Sequence, residues 1–423
     1  MNLDFLSNGL AIPAIAASTV VVFLLSVIIR QPVKKGIQAG IKVAMGALAM
    51  IAMSYLAITF FTPAVQGAAA RLGGPFSKLT LIDIGWTNAG MALVNPMIWL
   101  NILLMIAVNI GLIWIRATKT LYVDFPCMWR GVWTGMVVWY VTKSYLWGTV
   151  AMIIFLVSDV FLADWNAKHL QDFHEFSNTA SFPNSQNAFL IAAPMAWVLA
   201  RIPGLNKVNI KTEWIQDKLG FFAEPIVLGF ITGTVLGFLA GFDVLRAMLV
   251  GAVSAMMFHV WPMALGEAFG GWAIFNEGMR KILVKWFKGK REVYVGVDTS
   301  VLLGHPTVGV STTLMYPIAF LLSIFVPGIG LFPVISVQII QWWMAHITAW
   351  TKGNIVHNLI ICSVLVVLYG LAATAMAEPS TFWATTYGII PKDLVGTVQV
   401  TNWDGGGDLR IWVLYKLFSL IGH

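Results

Sequence analysis

Nine stretches of this chain are each apolar for about the length of a bilayer crossing, and clusters of Lys and Arg fall between them. A helix needs about 20 predominantly apolar residues to span hydrocarbon. The stretches are 10–30, 37–61, 92–115, 145–163, 222–242, 243–262, 309–327, 333–350 and 354–376. Shorter runs at 131–143 and 187–201 bring the expected total to nine to eleven helices. Of 423 residues, 58% are hydrophobic and only 11% are charged, where soluble domains carry about 25%. That is too few charges to cover a water-soluble fold, so lipid is the solvent. Nineteen Trp and 26 Phe suit a protein with two membrane interfaces. The first run is followed by Gln31, Lys34 and Lys35 and reads as a retained span, not a cleaved signal.

Orientation follows the basic clusters, which favour the cytoplasm. They are Arg30, Lys34 and Lys35; Arg116, Lys119 and Arg130; Arg201, Lys207, Lys211 and Lys218; and a fourth from Arg280 to Arg291. Placing all four inside puts the N-terminus outside. The net charge of +7 is then topogenic, and no nucleic-acid partner is expected. Three apolar runs lie between 130 and 201 where the rule requires an even number of crossings, so one must enter and return or lie along the surface. Residues 270–291 read as a basic amphipathic helix in the interface, with lysines toward lipid head groups.

The chain echoes itself weakly. GLAIPAIAAS near residue 10 and FFAEPIVLGF near 221 each open a long apolar run with a proline, and the charge argument starts them on opposite sides. Two similar units of opposite orientation are the mark of inverted-repeat transporters. The expected architecture is an N-terminal membrane repeat (1–200), a basic cytoplasmic linker (201–221), a C-terminal membrane repeat (222–376) and a C-terminal tail (377–423), whose 409–421 reads as a surface helix.

Three polar stretches interrupt the apolar pattern: Ile82–Gly90, Glu175–Asn187 and Val295–Gly309. Irregular backbone at membrane depth is tolerated only where protein or a watery cavity satisfies it, so these read as re-entrant hairpins around a polar chamber. Ionisable groups in spans are functional candidates by default. Glu224 opens a span and either caps it or serves a site; Asp159 is expected to pair with Lys143. No residues show metal-ligand spacing, no phosphate-binding glycine loop is visible, and Cys127 and Cys362 stand apart, so no cofactor is expected.

DIGWTNAG (83–90), RIPGLNKVNIKTEWIQDKLGFFAEPIVLGFITGTVLGFLAGFDV (201–244) and VGVDTSVLLGHPTVGVSTTLMYPI (295–318) resemble the galactitol-type enzyme IIC, the permease subunit of the sugar phosphotransferase system, in the ascorbate–galactitol superfamily. The resemblance implies an all-α polytopic membrane fold of two inverted repeats with re-entrant hairpins. It implies a core transport domain, a dimerising scaffold domain and a homodimer, with alternating access by rigid, elevator-type movement of the core. It implies a polyol or sugar substrate, phosphorylated by a separate cytoplasmic IIB that is itself charged by IIA. Carried over by position, the substrate pocket is lined by Trp86, Thr87 and Asn88, by Pro183, Asn184 and Gln186, and by Asp298 and His305, with Thr142 and Ser144 on a further helix. The middle tip departs from the family: SFPNS (181–185) replaces the usual Gly-Ile-x-Ile-Pro-His-Gly, which argues against galactitol itself.

Phosphoryl transfer from a protein thiolate needs an in-line hydroxyl and a proton acceptor. Asp298 is the first choice for that base and Glu224 the second; either alternatively serves only as a hydrogen-bond acceptor. Asn and Gln match hydroxyls without a charge cost, Trp86 offers a stacking face, and His305 either fixes the hairpin or contacts the solute. The basic segments 201–218 and 280–291 are the expected docking surface for IIB. A proton-coupled secondary transporter, with Asp159, Glu224 or Asp298 as carrier, shares the same composition and is the alternative.

Overall fold

A computed structural model of the chain describes residues 11–28, 30–122, 125–175, 179–182, 186–208, 221, 224–287 and 293–421. The fold is helical, with a few very short strands. Its elements are α1 (Ala11–Ile28), α2 (Val33–Leu72), β1 (Leu81–Asp83), α3 (Thr87–Val94), α4 (Met97–Trp114), β2 (Thr120–Leu121), α5 (Trp129–Thr142), α6 (Tyr145–His174), β3 (Thr179–Phe182) and α7 (Gln186–Leu199). There follow α8 (Pro225–Leu239), α9 (Val244–Phe287), β4 (Tyr294–Asp298), α10 (Pro306–Phe325), α11 (Ile340–Thr351), α12 (Ile355–Ala375), α13 (Ala377–Thr386), β5 (Gln399–Thr401) and α14 (Leu409–Ser419).

Among the described residues, seven helices are long and apolar enough to cross a membrane: α1, α2, α4, α6, the first part of α9, α10 and α12. Two expected runs form shorter helices, α7 and α8. The run 333–350 is not one span: a 3₁₀ turn at Ser336–Ile339 precedes the 12-residue α11. Residues 270–287 continue α9 without a break, making a 44-residue helix of about 66 Å at 1.5 Å per residue. Gly271 lies so close to α2 that a Cβ there would sit 2.5 Å from the Ala39 carbonyl, and Lys42 Nζ donates to Glu267 at 2.9 Å. The two longest helices therefore pack along each other. α8 crosses α9 through small residues: a Cβ on Gly233 would lie 2.5 Å from the Val250 carbonyl, and one on Gly237 2.6 Å from Ala247 Cα. Such contacts let backbones approach where no hydrophobic force separates helix from lipid.

Two small parallel sheets organise the remainder. β1 pairs in parallel with β5, Leu81 opposite Gln399, and Leu81 also bridges Leu331. β4 pairs in parallel with both β2 and β3, with Phe182 opposite Asp298. Element order recurs along the chain. A helical hairpin (α1–α2, then α8–α9) precedes a central strand (β1, then β4). Next an outer segment leads into a helix ending at a left-handed lysine, Lys143 at φ 52° after α5 and Lys352 at φ 55° after α11. A long helix follows (α6, then α12), and later an outer strand that runs into a helix (β3–α7, then β5–α14). In each sheet the central strand comes from one half of the chain and both flanks from the other.

Within 409–421, expected on the surface, Leu409–Ser419 form α14 with Ile411, Leu414, Tyr415 and Phe418 buried, and the helix packs on α5. Its outward residues Val413 and Leu417 are apolar as well, with Lys416 exposed between them in the last turn. The loop before it is deeper still: Trp403, Asp404 and Asp408 are all buried.

Candidate sugar-binding site

The central strands β1 and β4 each end in an aspartate, Asp83 and Asp298, at a polar tip that leads toward a helix, α3 or α10. Parallel pairing within a sheet puts the helix starts on the same side, so their positive ends and free N–H groups gather around the tips. At the tip of β1, the Asp83 carboxylate is buried and accepts four hydrogen bonds. These come from the amides of Gly85 (2.9 Å), Ile335 (2.7 Å) and Ser336 (2.7 Å) and from the Ser336 hydroxyl (2.5 Å). They tie the 331–336 segment to β1. Gly85 holds φ +50°, and a Cβ would meet Ile335 at 2.8 Å, so only glycine makes this turn without strain. Beyond it, Trp86 lies edge-on to Trp342 of α11, ring centroids 5.3 Å apart. Thr87 bonds Ser54 and the Ile84 carbonyl. Asn88 donates to Asn402 Oδ1 at 3.4 Å, and its own carbonyl oxygen has no partner among the described residues.

The tip of β4 repeats this chemistry with fewer donors. Asp298 Oδ1 accepts from the Ser300 amide at 2.7 Å, and Oδ2 accepts from the Cys127 thiol at 3.1 Å. Beside it a buried polar chain runs into the protein. Trp350 Nε1 donates to Asn166 Oδ1 at 2.8 Å, so the Asn166 amide nitrogen faces His346 Nδ1, 2.6 Å away. His346 Nδ1 is therefore an acceptor, and Nε2 carries the proton toward Thr299 Oγ1 at 3.3 Å. Thr299 in turn meets Ser181 of β3 at 2.7 Å. His305 caps α10, its Nδ1 accepting from the Thr307 amide at 3.3 Å, and packs against Phe173. Burial lowers the His305 pKa below the ordinary histidine value, with Glu175 opposing the shift.

The tips of β1 and β4 thus meet opposite ends of one stretch of α11. Trp342 receives Trp86, and His346, one turn on, receives Thr299 beside Asp298. β3 runs alongside β4 as far as Phe182. Pro183 and Asn184 lie outside the described residues; Gln186 begins α7, its side chain likewise outside them. Thr142 stands apart from this group, its hydroxyl donating to the Val138 carbonyl at 2.8 Å within α5, and Ser144 caps α6. Glu224 is exposed at the start of α8 and makes no side-chain cap bond. Of the expected docking surface, residues 209–218 and 288–291 lie outside the described residues.

The charge pairing differs from expectation. Asp159 bonds Arg410, not Lys143; Lys143 instead lies over the rings of Trp139 and Tyr140. Arg130 is wholly buried between Asp404 and Asp408, and Trp133 Nε1 donates to the Gly405 carbonyl at 3.1 Å. The 402–408 loop is therefore a third polar tip that sequence reading missed. A signal for it existed in the glycine run Gly405–Gly407 flanked by Asp404 and Asp408.

A family model for the sugar-specific permease component of the phosphotransferase system matches residues 13–393. The chain belongs to this family. Among its relatives, the galactitol-specific EIIC component of Escherichia coli (strain K12) is 26% identical over 408 residues, covering 95% of this chain and 87% of that protein. A putative permease IIC component of the same strain is 27% identical over 415 residues, 95% of this chain and 91% of the relative. This IIC permease is a multi-pass protein of the inner membrane. The match spans β1 to β4 and continues through α13, so the polar tips of β1 and β4 and the 331–339 segment lie within the family region, while the 402–408 loop lies beyond it.

Proposed function

We propose that this permease binds a polyol or sugar between the tips near Trp86 and Asp298 and presents one hydroxyl to a phosphocysteine on a separate IIB protein. The observation that carries the reading is the meeting of two polar tips on one turn of α11, at Trp342 and His346. Among the described residues each oxygen of Asp298 accepts one bond, from the Ser300 amide and from the Cys127 thiol, which leaves lone pairs for a hydroxyl. In the transfer, the sugar oxygen attacks phosphorus and the P–S bond breaks. The thiolate leaves with IIB, and the hydroxyl proton passes to Asp298. Trp86 and Asn88 are assigned to the substrate, with Asn184 and Gln186 on the neighbouring segment; Thr87 and His305 hold their tips, and Glu224 and Thr142 take secondary roles. The galactitol-specific relative favours a polyol of that class, while the SFPNS stretch argues against galactitol itself.

The recurrence of elements supports two repeats, and the basic clusters between the spans support inverted orientation with the N-terminus outside. The α1, α2, α8 and α9 group is inferred to be the scaffold that dimerises while the remaining helices move as the core. Reconstituted permease, phosphorylated cognate IIB and a panel of pentitols and hexitols provide the test. Formation of one sugar phosphate is expected. Accumulation of unmodified polyol that an uncoupler abolishes would instead establish a proton-coupled transporter.

A further inference from the structure

Cys127 is buried and belongs to the 3₁₀ turn Phe125–Met128 that leads into α5. The sequence gives it no evident task, being one of two isolated cysteines. In the fold its thiol reaches Asp298 Oδ2 at 3.1 Å, 171 residues away. The other sheet has a matching pair: the Ser336 hydroxyl, in the 3₁₀ turn leading into α11, reaches Asp83 Oδ1 at 2.5 Å. In both sheets a carboxylate ends the central strand, and a small side-chain donor on the outer segment holds it.

The two pairs differ in what else the carboxylate does. Asp83 is buried and takes two further amides from the outer segment, so its role is to join segments. Asp298 is partly exposed, and its other bond comes from Ser300, two residues on in its own tip. Among the described residues the bond to Cys127 is therefore the side-chain contact that sets the carboxylate against the neighbouring segment. A thiol is a weak donor, so it orients the group without occupying it as a charged partner would.

We propose that Cys127 is a positioning residue for phosphoryl transfer, holding the Asp298 carboxylate toward the substrate hydroxyl. This rests on the role given to Asp298 above. A misplaced group costs rate more than binding, because alignment matters most in the transition state.

The test uses the full permease with phosphorylated IIB and the polyol that wild type phosphorylates best. Turnover is normalised to the folded fraction measured by size-exclusion chromatography. Cys127→Ala is expected to lower kcat about tenfold with KM within about twofold, since it removes one weak bond and no binding contact. Cys127→Ser restores a donor and is expected to recover kcat to within about twofold of wild type. Asp298→Asn separates the two layers of the reading. If Asp298→Asn turns over normally, the role of Asp298 fails and the positioning role fails with it. If Asp298→Asn is inactive while Cys127→Ala is as fast as wild type, only the positioning role is overturned. Equal losses in the Ala and Ser variants also overturn it, because they would mark a packing requirement for sulfur.

Discussion

Arg130 donates to Asp408 at 2.8 Å across 278 residues of chain, with both side chains excluded from solvent. Asp404 takes the second arm of the guanidinium, so one arginine at the start of α5 fastens the loop that precedes α14. Removing one member of a buried pair strands the other charge, at a cost of about 3–5 kcal/mol. Arg130→Ala is expected to lose most folded protein, and Arg130→Lys to be nearly as damaging, because a single ammonium cannot replace a planar fork reaching two carboxylates. Thermal melting in detergent, followed by size-exclusion chromatography, checks both. Asp404→Asn with Asp408→Asn should be milder than Arg130→Ala, since paired removal leaves fewer uncompensated charges.

Asp83 predicts a different failure. Its carboxylate collects three backbone amides and one hydroxyl. In Asp83→Asn the new amide nitrogen must face at least one N–H, and each buried group left unsatisfied costs about 1–3 kcal/mol. The 331–336 segment is expected to detach from β1. Hydrogen exchange should then rise at Ile335 and Ser336 before any change in α12. Gly85→Ala should act on the same joint through its positive φ and the 2.8 Å contact with Ile335; protection that stays unchanged in both variants would contradict this account.

These joints also mark what the sequence could disclose. Spans were legible because apolar length and missing charge are local properties. The tips near 86 and 298 were legible as polar interruptions of that pattern. The strands were not: β2 has two residues and β1 and β5 have three each, too few to show a period-two alternation. The partners of Arg130 and Asp159 were hidden for another reason. Asp159 meets Arg410 across 251 residues, and nearness in the chain favoured Lys143. One long-range signal was present. Trp133 and Trp342 each stand nine residues before the threonine of a Thr-Lys pair, Thr142-Lys143 and Thr351-Lys352. Both lysines adopt the left-handed conformation that ends α5 and α11. That repeat relates the two halves more clearly than the proline-led openings of α1 and α8.

His346 carries the polar chain that joins α6, α11 and the β4 tip. His346→Ala is expected to leave Asn166 and Thr299 with unmet bonds inside the protein and to destabilise it by about 2–4 kcal/mol. His346→Gln keeps an acceptor and a donor and should recover part of that loss. Asn166→Ala tests the assigned tautomer from the other side. Without the Asn166 amide, imidazole nitrogen exchange by ¹⁵N NMR should no longer show Nδ1 as a fixed acceptor.

The last prediction concerns pH. His305 Nδ1 accepts the Thr307 amide at the start of α10 only while the imidazole is neutral. Burial favours that neutral form and lowers the folded-state pKa, while the unfolded value stays at about 6.5. A group depressed on folding contributes its full stability above the unfolded value, and that contribution is lost as pH falls through the folded value. The surrounding rings are Phe173 and His174, and the nearby carboxylate of Glu175 limits the shift. Between pH 7.5 and 5, the start of α10 should therefore loosen and polyol affinity should fall. Asparagine caps helices without titrating in this range, so His305→Asn should flatten the affinity–pH curve over the same interval. Calorimetric titration of the preferred polyol at several pH values, in wild type and His305→Asn, measures the difference; parallel curves for the two proteins would move the pH response to another group.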